Sequence, residues 1–401
     1  MEKKAFQGEQ LKSARLLRGL TVTSLAEKTG ISKQSISLYE NNENKPDYER
    51  GYKLAAALKV PYDFFLQEES CKTATAATYF RSLVSTSKLS RTSQSIKLEY
   101  VAKSYMALMN YIDFPVLNLP EIDFGGIENA FGEKEVQNIL FELEQVAMEV
   151  RTLWGLGDGP INDLQYVLES NGIIVTGFDV SESRIDAFSQ RIMTESGEVC
   201  LVAISQGEKP ECRIRFDMAH ELAHILIHPW SEELDCISKE EFKERETQAN
   251  IFAGAFLLPR ESFSKDIQVY PTDLNYYQWL KKKWKVSIQA MIYRSYQLEI
   301  ISSNQYQYMM RQVSKKGWRL CEPGDSPYYL GENIFQGAID LLKDEHILSA
   351  NGLLNLFSDY GVSLYASEIE ELLHLNNGTL FVEETNNKIV YLKDDLQHSK
   401  I

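Results

Sequence analysis

Cysteine is scarce in this sequence, with five residues at positions 71, 200, 212, 236 and 321 among 401. Their number is odd and no C-x-x-C pair occurs, which argues against a disulfide framework and against a cysteine zinc site. Long apolar runs are also missing, since no segment approaches the roughly 18 residues that a membrane span requires. The first ten residues carry charge without an apolar stretch, so the sequence predicts no secretory signal and a soluble, cytoplasmic protein.

Negative side chains outnumber positive ones in the chain as a whole but not in its first 66 residues. The formal net charge is −15, whereas residues 1–66 contain 11 Lys and Arg against 8 Asp and Glu and therefore carry +3. A slightly basic block on an acidic body is typical of a small DNA-binding module attached to another domain. Charge drift between two ordinary domains would give the same numbers, so both interpretations stay open at this point.

Short helices joined by tight turns are predicted for the first 66 residues. Leu11, Ala14 and Leu17 recur at helical spacing, and Thr21 and Ser32 precede later apolar faces as helix caps. Gly30 breaks the second helix. Segment 67–84 predicts a linker that becomes helical, residues 88–112 predict a helix, and residues 114–126 predict an extended connector.

The pattern beyond residue 130 predicts a mixed α/β region. A long amphipathic helix is expected over residues 133–154, and helices dominate from 213 to 302. Runs rich in β-branched residues predict strands at Gly172–Phe178 and Glu198–Ile204, with a third strand between them within Arg184–Met193. Helices and a final hairpin, with Gly378 and Asn387 near its turns, are expected over residues 326–401.

The strongest chemical signal is the segment FDMAHELAHILIH at residues 216–228. His220 and His224 are four residues apart, so both imidazoles project from one face of a helix and can reach a single zinc ion. Glu221 stands next to the first histidine, where its carboxylate can take a proton from water at the metal. Histidines and a glutamate on an apolar helix are hard to explain by packing alone.

A catalytic zinc site needs a third protein ligand, and two residues could supply it. His228 continues the four-residue spacing, but each such step rotates the side chain by about 40° around the helix. Glu246 lies near the apolar stripe of a second predicted helix, where a carboxylate requires a cation or hydrogen bonds. We therefore expect Glu246 to be the ligand and His228 to lie behind the ligands or in the cleft.

Residues 140–300 resemble the ImmA/IrrE family of bacterial metallopeptidases. The resemblance is carried by Ala219–His224, by the E-x-x-A-N-x-F-A pattern at Glu246–Ala253, and by Leu257, Leu258 and Pro259. It extends to Trp154–Gly157, Ile185–Ser189 and Arg213–Phe216. Ala223 departs from the glycine usual in the family, and both residues are small. The resemblance implies a zincin-like fold with Zn²⁺ held by His220, His224 and Glu246.

The N-terminal block resembles the helix-turn-helix of phage-type (XRE) repressors, through Leu25–Ala26, Gly30, Ile31–Ser32, Ile36–Ser37 and Glu40. The third helix would enter the major groove, and Gln34 is of a type that reads adenine. Val22 and Asn41–Asn42 depart from the usual pattern. A helix-turn-helix used for dimerisation or docking is the alternative. The residues expected at DNA are Ser32, Lys33, Gln34, Ser35 and Ser37.

These observations predict an α+β, mostly helical protein with four regions. They are a helix-turn-helix domain (1–68), a helical linker (69–130), a metallopeptidase domain with a small sheet (131–302) and a C-terminal α/β regulatory or interaction region (303–401). The expected function is a DNA-associated zinc endopeptidase that cleaves a repressor or another regulatory protein, with an operator as second partner and a homodimer as one possible assembly. The strand carrying Ile185–Ser189 is expected to line the cleft and pair with substrate. The alternatives are a regulator whose zinc domain senses a ligand or partner without cutting, and a toxin–antitoxin-like regulator with structural zinc.

Overall fold

The computed structural model describes most of the chain. It covers residues 5–67, 74–80, 87–122, 136–179, 187–194, 197–206, 209–228 and 237–381. No helix within these ranges is long and apolar enough to cross a membrane.

The N-terminal region is a bundle of four short helices followed by a 3₁₀ turn at Tyr62–Leu66. The helices are α1 (Gly8–Leu17), α2 (Val22–Thr29), α3 (Lys33–Glu40) and α4 (Tyr48–Leu58). Thr21 and Ser32 cap α2 and α3 by accepting backbone hydrogen bonds from Ser24 and Ser35. Gly30 ends α2 with a φ of +70°, a conformation that glycine adopts without steric cost. The predicted capping and helix break are thus confirmed.

One mixed sheet of four strands organises the rest of the molecule. Its strands are β1 (Ala74–Phe80), β2 (Ile173–Asp179), β3 (Ala187–Thr194) and β4 (Gly197–Gln206), in the order β1-β3-β4-β2. The β1–β3 and β3–β4 pairs are antiparallel and the β2–β4 pair is parallel. The three strands predicted from β-branched residues are confirmed, except that residues 184–186 lie outside the described ranges.

One prediction about the sheet is wrong. Residues 74–80 form strand β1, where the sequence predicted a linker turning into helix; their alanines and threonines allow either state, and pairing with β3 decides. The strand carrying Ile185–Ser189 was expected to line the cleft and pair with substrate, and this stays a prediction. In the structure, Phe188–Met193 pair with β1 on one side and with β4 on the other.

The helices form layers on both faces of the sheet. After β1 come α5 (Lys88–Leu108), α6 (Val136–Leu153), α7 (Leu164–Ser170), α8 (Glu211–Ile227), α9 (Lys239–Leu257), α10 (Arg260–Ile267), α11 (Leu274–Trp284) and α12 (Ile288–Gln297). The C-terminal helices are α13 (Ser303–Lys315), α14 (Ile334–Asp344), α15 (Ala350–Asp359) and α16 (Ala366–Leu373). Residues 114–122 form neither helix nor strand, as predicted for the connector, and its residues 123–126 lie outside the described ranges.

Alternation along the strands divides the apolar side chains between two cores. Ile173 and Val175 join the core that α6, α8 and α9 form on one face. Ile174 and Phe178 join a second core on the other face, together with α5, the N-terminal bundle and α14–α16. The sheet therefore separates the helix that carries the histidines from the N-terminal bundle.

The C-terminal part was predicted as α/β. Within residues 303–381 the structure has helices and no strand, and the hairpin expected around Asn387 lies outside the described residues. The domain boundaries proposed from the sequence stay predictions.

Candidate metal centre and DNA-binding surface

Helix α8 brings the two motif histidines together under the sheet. Their ring centroids are 4.8 Å apart and their Nε2 atoms are 3.1 Å apart. His220 is fully buried and His224 is 2% exposed. The four-residue spacing thus places two imidazole nitrogens at one point, as the sequence predicted.

Helix α9 packs against α8 and supplies Glu246 to the same point. Its Oε2 lies 3.4 Å from Nε2 of His220, and its Oε1 lies 3.3 Å from Nε2 of His224. The Glu246 side chain is 17% exposed, so it is the most accessible of the three. His220, His224 and Glu246 together form a group of side chains able to hold a metal ion.

The separations in this group suit zinc. Ligands placed 2.0–2.1 Å from a tetrahedral zinc lie about 3.3–3.4 Å from one another. The two imidazole Nε2 atoms are 3.1 Å apart, and each lies 3.3–3.4 Å from a different oxygen of the Glu246 carboxylate. Two imidazole nitrogens and one carboxylate group are also a donor set that zinc favours in catalytic sites. The residues present therefore fit a zinc ion with a fourth position left for water or substrate.

Electrostatics of the group favour an ionised carboxylate. Burial raises the pKa of Glu246, but interactions with the adjoining imidazoles of His220 and His224 outweigh it, so the pKa lies well below its usual value. An anionic carboxylate is the form that a metal ion binds.

Glu221 lies beside the histidines and is completely buried. Its Oε2 accepts a hydrogen bond of 2.7 Å from the hydroxyl of Ser189 on β3. Ser189 is itself fully buried, so this bond holds the Glu221 carboxylate to β3. The sequence placed Ser189 near the cleft but did not assign it this contact.

His228 is a partner of a predicted ligand. Its Nδ1 lies 2.8 Å from Nδ1 of His224, and its Nε2 lies 2.8 Å from Oε1 of Gln248 on α9. The expectation that His228 stands behind the ligands agrees with this position. Burial, reinforced by the neighbouring histidines, holds the pKa of His228 well below its usual value, so the ring is neutral.

The chain of contacts selects one tautomer of His224. An amide oxygen only accepts, so His228 donates from Nε2 to Gln248, and its neutral ring then accepts at Nδ1. His224 must therefore donate from its own Nδ1, which leaves the Nε2 lone pair facing His220 and Glu246. Such outer partners orient metal-binding histidines. Nothing in the sequence pattern pointed to Gln248.

A second group of side chains that could hold a metal ion, Cys212, Glu322 and Asp325, has a structural role instead. The ammonium group of Lys281 bonds to both carboxylates, at 2.9 Å in the case of Glu322. Glu322 also accepts the backbone N–H groups of Ile288 and Gln289, and so caps α12. Burial raises the pKa of the Cys212 thiol to about 12, which disfavours a thiolate ligand.

On the N-terminal bundle, the residues predicted to meet DNA lie at the start of α3. Ser32, Lys33, Gln34 and Ser37 are exposed and Ser35 is half-buried, while Ile36 points into the bundle. An unpredicted buried ion pair supports this arrangement: Arg15 on α1 binds both oxygens of Glu40, at 2.6 and 2.8 Å. The pair ties the end of α3 to α1, so the exposed face of α3 is held in a defined position.

Comparison with known proteins matches both parts of the chain. Residues 11–65 match the helix-turn-helix family model, and residues 170–296 match the model of the IrrE N-terminal-like domain of the M78 peptidases. One segment of the chain is thus similar to a helix-turn-helix domain, and a later segment is similar to an IrrE N-terminal-like domain. It is also 38% identical over 61 residues to the HTH-type transcriptional regulator SutR of Escherichia coli K12. That stretch is 15% of this chain and 34% of SutR, so the likeness spans about a third of the curated relative.

The two matches bracket the sites found above. The IrrE N-terminal-like domain contains His220, Glu221, His224 and Glu246, together with Ser189. The helix-turn-helix domain contains α1–α4 and the exposed residues of α3. The family resemblance and the α+β, mostly helical fold predicted from the sequence are thereby confirmed. Roles for individual residues are not tested by either match.

Proposed function

We propose that this protein is a zinc-dependent endopeptidase that binds DNA through its helix-turn-helix domain and cleaves a repressor or another regulatory protein. The observation that carries the proposal is the convergence of His220, His224 and Glu246 beside the buried carboxylate of Glu221. The match to an M78 peptidase domain and to a DNA-binding domain supports both halves of it.

In this proposal His220, His224 and Glu246 hold Zn²⁺. Bound there, zinc supplies Lewis-acid chemistry that polarises a peptide carbonyl and makes water a better nucleophile. Glu221 takes the proton from the attacking water and later delivers it to the leaving amine nitrogen. Ser189 holds one oxygen of Glu221, at 2.7 Å, so that the carboxylate faces the reacting atoms.

The DNA-binding half assigns roles to the exposed end of α3. Lys33 neutralises phosphate charge, which contributes affinity without sequence preference. Gln34 reads a base edge in the major groove, while Ser32, Ser35 and Ser37 add polar contacts. DNA is thus the first partner, and a protein substrate is the second.

One observation favours a second candidate function, a regulator whose zinc domain responds to a ligand or partner without cutting. His220 and Glu221 are completely buried, whereas a peptidase must admit a peptide bond to these groups. The intact Glu221 weighs against this candidate, because a sensor has no chemical need for that carboxylate.

Replacing Glu221 by Gln separates the two candidates. Glu221→Gln keeps the size of the side chain but removes the base, so zinc should stay bound while cleavage falls by about 10²–10⁴-fold. The assay follows zinc content by atomic absorption, together with the integrity of co-purified regulatory proteins by mass spectrometry. His220→Ala is the control that loses zinc. If Glu221→Gln matches wild type in every readout while His220→Ala is inactive, the peptidase proposal fails.

A further inference from the structure

Strand β1 occupies one edge of β3. Residues Ala77, Thr78, Tyr79 and Phe80 stand opposite Arg191, Gln190, Ser189 and Phe188, in antiparallel register. The other edge of β3 pairs with β4 over its whole length. Within the described parts of the sheet, both edges of β3 are therefore taken from Phe188 to Met193.

Strand β3 borders the candidate metal centre. Ser189 donates its hydroxyl hydrogen bond to Glu221, and Nη2 of Arg191 donates to the carbonyl oxygen of Ile225 on α8 at 3.2 Å. Tyr79 is the residue of β1 that stands opposite Ser189. Since paired strands lie about 4.8 Å apart, the backbone of β1 runs alongside the part of β3 that touches the proposed general base.

An extended peptide can bind a protein by adding a strand to an open sheet edge. If β1 were displaced, β3 would present such an edge next to Glu221. The chain's own residues 74–80 hold that edge in the structure, and His220 and Glu221 are completely buried in the same state. The segment thus stands where an extended substrate would pair.

We propose that residues 74–80 are an internal mimic of the substrate, and that the enzyme is blocked until this strand leaves β3. The catalytic consequence rests on the proposed peptidase function, whereas the strand exchange itself does not. The substrate class that follows is an extended, unfolded protein segment that pairs antiparallel with β3. Residues 74–80 read ATAATYF, and this sequence serves as the template for a substrate segment.

Because β1 belongs to the same chain as β3, it competes strongly with any free peptide for the edge of β3. A segment attached by a short linker acts at an effective concentration on the order of millimolar. A free peptide at micromolar concentration would then displace only a small fraction of β1. Weakening β1 should therefore open the edge to added peptide.

The experiment measures binding of a fluorescent peptide with the sequence of residues 72–84 to the zinc-loaded full chain. All proteins carry Glu221→Gln, so that binding is followed without cleavage. The test protein also carries Thr78→Pro and Tyr79→Pro. Alternate residues of a strand point their N–H at the neighbouring strand, so one of the two prolines must remove a hydrogen bond between β1 and β3. Thr78→Val with Tyr79→Val is the matched control that keeps both donors and favours the strand. A Thr78→Gly, Tyr79→Gly protein, which also keeps both donors, serves where the diproline protein fails to fold.

We expect the diproline or diglycine protein to bind the peptide at least about 100-fold more tightly than the divaline and parent proteins, because a strand tethered at about 1 mM competes about 100-fold against a peptide whose own Kd is about 10 µM. A peptide with prolines at the positions of Thr78 and Tyr79 should not bind. Equal affinity for all proteins, or no binding to a folded, zinc-loaded diglycine protein, would overturn the proposal.

Restoring Glu221 distinguishes this proposal from the proposed function. Cleavage of the bound peptide by the strand-weakened protein supports both. Tight binding without cleavage leaves the strand exchange supported and shows the peptidase proposal to be wrong.

Discussion

Gln248 is expected to control zinc affinity although it is not one of the proposed metal ligands. Its Oε1 accepts from Nε2 of His228, and His228 in turn accepts from His224, which leaves Nε2 of His224 directed at the metal position. Gln248→Met keeps the length of the side chain and removes the acceptor. The buried His228 Nε2–H group, on a ring that is 2% exposed, then loses its hydrogen bond to Gln248.

The metal-free protein can relieve this loss by moving protons. His228 can carry its proton on Nδ1, but then His224 must accept at Nδ1 and carry its own proton on Nε2, because two N–H groups cannot face each other at 2.8 Å. That tautomer cannot bind zinc through Nε2. Metal binding must reverse the change without the Gln248 acceptor for the buried His228 donor, and the loss of that hydrogen bond costs about 1–3 kcal/mol. Zinc affinity should therefore fall about 10- to 100-fold, the range found when outer partners of metal ligands are lost.

The assay is a competition titration against a zinc chelator at neutral pH, with unfolding followed by circular dichroism to confirm that the variant is folded. Gln248→Glu is the matched control, since its carboxylate still accepts from His228 and should keep affinity at or above that of wild type. The reasoning is refuted if Gln248→Met binds zinc as tightly as wild type, or if both variants lose affinity equally.

Further predictions concern the ligands, the DNA-binding surface and a buried carboxyl group. Glu246→Ala should lose most of the zinc measured by atomic absorption, and retention of one zinc per chain would show that another residue is the third ligand. In the full chain, Lys33→Ala should weaken binding to all duplexes and reduce the salt dependence, whereas Gln34→Ala should mainly relax preference at one base pair; gel shifts at several salt concentrations check both. Arg15→Met leaves Glu40 buried without its bidentate partner and should lower the free energy of unfolding by about 3–5 kcal/mol in urea titrations, while Arg50→Met, at an exposed site, should have little effect. Burial raises the pKa of Glu169 to about 8, so the unfolded chain ionises first and stability should fall as pH rises from about 4.5 to 8; thermal melts of Glu169→Gln should lose that dependence.

Local signals in the sequence were sufficient for much of the fold and indicated the residues that the fold brings together at the candidate metal centre. Thr21, Gly30 and Ser32 determine helix ends through hydrogen bonds to near neighbours, so their roles are visible in a short window. His220 and His224 are related by the period of one helix. Glu246 was predicted because a carboxylate beside an apolar stripe requires a cation.

The features that could not be predicted depend on contacts between distant segments. Ser189 meets Glu221 across 32 residues, and Gln248 meets His228 across 20. Strand β1 exists because it pairs with β3, more than 100 residues later, and its own composition favours no single state. Periodicity reports which face of an element is apolar, but it does not report which element covers that face.

The apolar core of the N-terminal bundle does not end at the last residue of the bundle but continues into the sheet and the C-terminal helices. Leu11, Ile36 and Phe64 belong to the same buried cluster as Phe188 of the sheet and Phe335 of α14. Arg18 reaches across to Glu368 at 2.6 Å, and Gln67 to Ser358 at 2.8 Å.

Exchanging the helix-turn-helix domain of such a protein for another should therefore disturb the fold, even though the two family matches cover separate parts of the sequence. A foreign helix-turn-helix spliced in at residue 68 would meet apolar surfaces on α5 and α14–α16 shaped for another partner. Recombination that keeps the protein folded must therefore carry α5 and the C-terminal helices along with the DNA-binding domain. The segment that must be exchanged as a whole is thus larger than the segment that matches the helix-turn-helix family.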